Sequence, residues 1–203
     1  GIDPDQFAPG TLPPASPFVI GYAGGLIAEK GIETLLKAVA GLSGEWELRL
    51  AGEGEARGRL QQLAAALGVA ERVRFLPRLP STAMPDFYRG LHVLVLPSIA
   101  QPNWKEQFGR VLIEAMGCAV PVIGSDCGEV PRVIGEAGLL FQAGDDRQLQ
   151  ALLARLQTAP ALRRELGERG RQRVLERYTH AAVARATFAV YAALHAGAGG
   201  DLA

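Results

Sequence analysis

Apolar residues recur along this chain in two alternating rhythms. Phe18-Val19-Ile20-Gly21-Tyr22 has the near-continuous apolar character of a buried strand, and Ile32, Leu35, Leu36 and Val39 follow at the 3.6-residue spacing of one helix face. The alternation runs on to the C-terminus. Strands are predicted at 18–22, 46–51, 73–76, 92–96, 120–124 and 138–141, and helices at 31–39, 55–67, 82–90, from 108 or 109 onward, 130–134, 147–157, 161–178 and 180–194. Ser81 stands where it would cap the helix over 82–90. His92-Val93-Leu94-Val95-Leu96, stopped by Pro97, is the continuous run expected of a strand buried on both faces of a parallel sheet. Six strands alternating with helices predict a doubly wound α/β fold, a six-stranded parallel sheet with helices on both faces. Ligands of such sheets bind beyond the carboxyl ends of the strands. Residues 24–31, 52–54 and 98–109 all fall there. Pro4, Pro9, Pro13, Pro14 and Pro17 make residues 1–17 an extended leader or linker, and 197–203 read as a frayed tail.

Composition narrows the setting. The 203 residues are 48% hydrophobic and 21% charged, with 21 basic against 21 acidic side chains, which suits a globular chain and lacks the basic excess that nucleic acid demands. The arginines between Arg163 and Arg177 are matched by Glu165, Glu168 and Glu176 and read as a solvated helix face. Cys118 and Cys127 are too few for a disulfide framework and read as buried thiols of a cytoplasmic protein. No apolar run approaches the roughly 20 residues of a membrane span, and no signal-peptide pattern is present. His92, His180 and His195 are scattered, away from ligand partners, and no metal is expected.

The strongest chemical signal is Glu106-Gln107-Phe108-Gly109-Arg110-Val111-Leu112-Ile113-Glu114. Glu114 falls in an apolar stretch where an unpaired carboxylate is costly. A helix beginning near Phe108 has free N–H groups and a positive dipole end, which attract phosphate. Glu114 points back toward that end, and Glu106 precedes it. Both carboxylates then flank one ligand, an arrangement suited to a sugar bonded to a diphosphate; alternatively Glu106 is a dipole partner and Glu114 a buried salt-bridge member. Gly24-Gly25-Leu26-Ile27-Ala28-Glu29-Lys30-Gly31 combines flexible glycines with a lysine and reads either as an anion loop, though not a Walker A, or as a plain turn. Gly52-Glu53-Gly54-Glu55-Ala56-Arg57-Gly58 has dinucleotide-like glycine spacing but two acidic residues that would repel a pyrophosphate, so a tight turn is the alternative. Asp3-Pro4-Asp5 lies in the proline-rich leader, where rigid placement of a metal is not expected. Ser125-Asp126 follows the fifth strand as a ligand contact or as turn residues.

Taken in order, these segments resemble the retaining glycosyltransferases of family 4, and in particular their C-terminal, nucleotide-sugar-binding domain. Glu106 to Glu114 matches that family's Glu-x7-Glu motif, Gly117 to Val122 its small-residue and Pro-Val segment, and Gly128 to Gly138 its Gly-x-x-Pro-x-x-Ile segment; Gly24 to Gly31 resembles the phosphate loop, Leu50 to Gly54 the second-strand turn, and Gly1 to Pro9 the interdomain junction. The resemblance implies a Rossmann-like half of a two-domain GT-B enzyme, with a linker at 1–17, the donor-binding domain at 18–178, a helix at 179–196 that packs back on an N-terminal acceptor domain, and a tail. It implies that Glu106 and Lys30 are catalytic, Glu106 accepting from donor-sugar hydroxyls and Lys30 neutralising the departing diphosphate. Gly24, Gly25 and Gly52 would line the phosphates, the N–H groups of Phe108, Gly109, Arg110 and Val111 would hold sugar and phosphate, Glu114 would hold the ribose, and main chain at Leu76, Pro77 and Arg78 would receive the base. The reaction implied is hexosyl transfer from a nucleotide-diphosphate sugar to a sugar or lipid/glycan acceptor with retained configuration. It needs no cofactor beyond the donor, and any peripheral membrane association is expected only through the full-length protein. Gly25 replaces an arginine of many members, whose charged hydrogen bond is worth about 1.5–3 kcal/mol. That loss, together with a missing second domain, keeps open a noncatalytic nucleotide-sugar-binding or scaffolding module; an NAD(P)-dependent oxidoreductase rests on Gly52 to Gly58 alone.

Overall fold

The computed structural model describes residues 1–11 and 13–198. Six strands, β1 (Phe18–Ala23), β2 (Trp46–Ala51), β3 (Val73–Leu76), β4 (Val93–Leu96), β5 (Val122–Ser125) and β6 (Leu139–Phe141), form one parallel sheet in the order β3-β2-β1-β4-β5-β6. Register is set along the whole of β1, from Phe18 opposite Trp46 to Ala23 opposite Ala51. Every residue of β1, β4 and β5 is buried, while the edge strands β3 and β6 are only partly so. Apolar runs at the centre and mixed sequence at the edges follow from two covered faces and two exposed margins.

Among the described residues the eight α-helices are α1 (Ile32–Ala40), α2 (Arg57–Ala66), α3 (Met84–Arg89), α4 (Arg110–Gly117), α5 (Val130–Ile134), α6 (Asp146–Thr158), α7 (Pro160–Arg177) and α8 (His180–Ala198). Helix α1 packs against α2 and α6; α4 packs against α3, α5 and α7. The chain steps outward from β1 in one direction and from β4 in the other, so right-handed crossovers place these two helical groups on opposite faces. The crevice between β1 and β4 is the topological switch point, and the loops that leave these two strands are its walls.

Several expectations shift. Helix α3 begins at Met84 with Ala83 in the cap position and no side-chain cap, so Ser81 is not its N-cap. Pro85 sits in the first turn, where its missing N–H costs nothing, and 81–83 form a turn ahead of it. Strand β5 starts at Val122 rather than 120: Ala119 adopts a positive φ of 58°, and the Val120 N–H bonds back to Ala115 O. The α7 arginines are not simply a solvated face. Arg171 donates to the carbonyls of Phe7, Gly117 and Pro4, Arg173 to those of Val133 and Arg132, and Arg163 to those of Leu156 and Gln157. Residues 1–9 make no helix, yet they are tightly placed: Ile2 and Phe7 are buried and Ile2 bridges Thr179. Helix α8 takes in Gly197 and Ala198, and the rest of the expected tail lies outside the described residues.

Candidate functional site

The loop after β1 and the loop after β4 meet beyond the sheet, where Ile99 N–H donates to Glu29 O at 2.8 Å. Lys30 ends a short 3-10 turn, Ala28–Lys30, that carries its side chain across to the other loop. Its Nζ lies 2.6 Å from Glu106 Oε2, which also accepts from Ser98 Oγ at 2.9 Å. Glu106 is 8% exposed, and its Oε1 has no partner among the described residues. The Glu106 main chain is pinned as well, because its carbonyl accepts from Glu129 N–H at the start of α5. The Trp104 ring lies 4.8 Å from Lys30 Nζ, a cation–π contact that confines the ammonium further.

Helix α4 opens just beyond. Gly109 is its N-cap in the left-handed region at φ 75°, with no side-chain cap; Leu112 N–H bonds to Gly109 O, and the N–H groups of Arg110 and Val111 have no acceptor among the described residues and are available to an anion. Glu114, on the same helix and also 8% exposed, accepts from Tyr88 Oη through Oε2 at 2.7 Å and from Arg110 Nε through Oε1 at 2.8 Å. Burial and the Glu114 charge push the Tyr88 pKa far above the usual tyrosine range, so its hydroxyl stays a donor. Burial, with a smaller contribution from Glu106, does the same to Tyr22, whose hydroxyl donates to Gly25 O at 2.7 Å and shapes the glycine loop from beneath.

The other expected residues lie at the carboxyl ends of β1, β2 and β3 and at the start of α4. Gly24 and Gly52 pack backbone to backbone, such that a Cβ on Gly52 would lie 1.9 Å from Gly24 O. That contact leaves no room for a side chain at position 52, and the turn before α2 falls at 55–56. A Cβ on Gly25 meets nothing nearer than 3.9 Å. Leu76, Pro77 and Arg78 leave the end of β3, with Arg57 Nη2 donating to Phe75 O at 3.1 Å beside them. Phe108 is 39% exposed and sets its ring edge-on to Tyr178, while Arg110 is exposed and Val111 half-buried. Ser125 is buried and its Oγ donates to Ser98 O, whereas Asp126 is exposed and its Oδ1 accepts from Ala143 N–H. Asp3 Oδ1 accepts from Asp5 N–H, so that pair closes a turn.

A family model described as Glycosyl transferases group 1 matches residues 5–173. The chain belongs to the group 1 glycosyl transferases. It is 33% identical over 178 residues to an MMP alpha-(1->4)-mannosyltransferase from Mycolicibacterium hassiacum, covering 85% of this chain and 42% of that one. The chain spans less than half the length of the curated relatives it matches. Among solved structures, sucrose-phosphate synthase from Thermosynechococcus elongatus superposes with a TM-score of 0.83 at 30% identity, over 97% of this chain and 52% of that one. Anabaena Alr3699/HepE in complex with UDP-glucose superposes with a TM-score of 0.83 at 21% identity, over 95% and 56%. The fold is thus the Rossmann-like one of GT-B enzymes.

In this glycosyl transferase domain the sequence reading missed three side chains, Ser98, Trp104 and Tyr88. Ser98 directly follows the buried β4 and its Pro97, so its place at a strand's carboxyl end was available as a signal. Trp104 shares that 98–109 loop, but nothing local pointed to its partner Lys30, 74 residues away, and Tyr88 carried no signal, its partner Glu114 being 26 residues away.

Proposed function

We propose that this domain binds the donor, a nucleotide-diphosphate sugar, in a retaining glycosyltransferase that moves a hexosyl group to a sugar or lipid/glycan acceptor. The observation that carries the reading is the Lys30–Glu106–Ser98 cluster beyond the ends of β1 and β4, with the uncapped start of α4 four residues on from Glu106 in the chain. An ammonium has three N–H donors, so Lys30 can keep Glu106 and still reach a phosphate oxygen. Glu106 Oε1 is free to accept from a sugar hydroxyl. The α4 N–H groups meet phosphate, Glu114 meets the ribose, and the backbone at Leu76, Pro77 and Arg78 meets the base. The Anabaena structure that shares this fold holds UDP-glucose, which supports a nucleotide sugar as the ligand class.

In the reaction, the bond between the anomeric carbon and the diphosphate oxygen breaks, and the leaving nucleoside diphosphate takes the electron pair. Lys30 and the α4 dipole stabilise the charge that develops there. The acceptor hydroxyl attacks the oxocarbenium-like carbon from the side the diphosphate leaves, and its proton passes to the departing phosphate. The acceptor would be held by a second domain against which α8 packs.

Calorimetry with UDP, GDP, ADP and their sugars tests the reading. Binding of at least one diphosphate with enthalpy lost in Lys30→Ala supports it. A folded chain that binds none of them sinks it.

A further inference from the structure

Tyr88 is completely buried in α3. Its ring is wedged between Phe7, with centroids 6.3 Å apart, and Phe87, at 5.7 Å. Only its hydroxyl leaves the apolar packing, and it ends on Glu114 Oε2. The second partner of that carboxylate, Arg110, has a side chain 69% exposed and one helical turn away, an arrangement that solvent screens and that fixes orientation weakly. A carboxylate offers about four lone-pair positions, of which Tyr88 and Arg110 use two. The two that remain match the two donors of a cis-diol.

We propose that Tyr88 is a positioning residue of the nucleotide site, holding the Glu114 carboxylate so that its remaining lone pairs meet the 2′- and 3′-hydroxyls, and that Tyr88 thereby sets the preference for ribonucleotides. The inference rests on the donor-binding reading above. Without the Tyr88 hydroxyl, Oε2 is a buried acceptor with no donor, and the carboxylate turns toward Arg110 and water, losing its aim at the diol.

The test compares whichever of UDP, GDP and ADP the chain binds with its 2′,3′-dideoxy counterpart, by calorimetry, in the native chain, Tyr88→Phe and Arg110→Gln, with a thermal melt of each. The native chain is expected to prefer the ribonucleotide. Tyr88→Phe, which keeps the ring packing, is expected to weaken the ribonucleotide about tenfold and leave the dideoxy form unchanged. Arg110→Gln keeps the preference. Equal weakening of both forms in Tyr88→Phe, or no weakening of either, overturns the proposal; so does a preference abolished by Arg110→Gln, which remains readable if Tyr88→Phe fails to fold. A native chain that binds diphosphates without distinguishing the sugars removes Glu114 from the ribose and the proposal with it. One that binds no diphosphate overturns the donor-binding reading itself.

Discussion

Val19 donates its N–H to His92 Nδ1 at 2.8 Å, which leaves the ring proton on Nε2 and makes neutral imidazole the form this fold accepts. Burial first, and Arg163 second, hold the His92 pKa below its usual value. A depressed folded pKa means that the unfolded chain binds the proton more readily. Stability is therefore full above the unfolded value of about 6.5 and is lost as pH falls below it, at up to about 1.4 kcal/mol per pH unit. Urea melts between pH 7.5 and 5.5 should show this slope, and His92→Gln, which keeps an acceptor for Val19, should flatten it; equal slopes would assign the effect elsewhere. Gly25 offers a second residue-scale test. Its open surroundings admit a side chain, so Gly25→Arg should add a cation at the phosphate loop and raise nucleoside diphosphate affinity about tenfold, worth about 1.5 kcal/mol. Unchanged affinity would place the loop away from the phosphates. At Glu106, Glu106→Gln removes the charge facing Lys30 while keeping the shape. We expect binding of the sugar donor to fall more than that of the bare diphosphate, and equal losses would argue against a sugar contact.

The element that matters most is α4, whose position depends on Gly109. In the left-handed region an L side chain costs about 1–2 kcal/mol, and a Cβ here would also lie 2.7 Å from Leu96 Cδ2. Gly109→Ala should lower the melting temperature by roughly 2–8 °C and weaken phosphate binding together with it. A melting temperature left unchanged would show that the helix start can slide. The existence of α4 was legible because an apolar face begins there after a polar loop, although the helix starts at Arg110 rather than at 108 or 109. The start of α3 was not: Ser81 offered a local cap, but Pro85 suits the first turn and packing of Phe87 and Tyr88 set where that turn falls.

At the scale of the molecule, α8 leaves Phe188, Val190, Tyr191 and Leu194 each more than half exposed, at 74%, 59%, 68% and 65%. An apolar face of this kind favours association. The 203-residue chain should self-associate in sedimentation velocity, and Phe188→Ser with Leu194→Ser should shift it toward monomer; a monomeric native chain would remove the idea that this face seeks a partner. Arg171 works in the opposite direction, tying residues 4, 7 and 117 to α7 through their carbonyls. By itself the sequence determined the alternation of strands and helices, the parallel sheet and the Glu106-to-Glu114 segment, because apolar periodicity and short motifs are local properties of the chain. Tertiary structure alone decided that Lys30 pairs with Glu106, that Tyr88 holds Glu114, and that α7 arginines fasten the N-terminal segment. Those contacts join residues far apart in the chain, and only the closing of the sheet's crossovers brings their polar atoms within bonding distance.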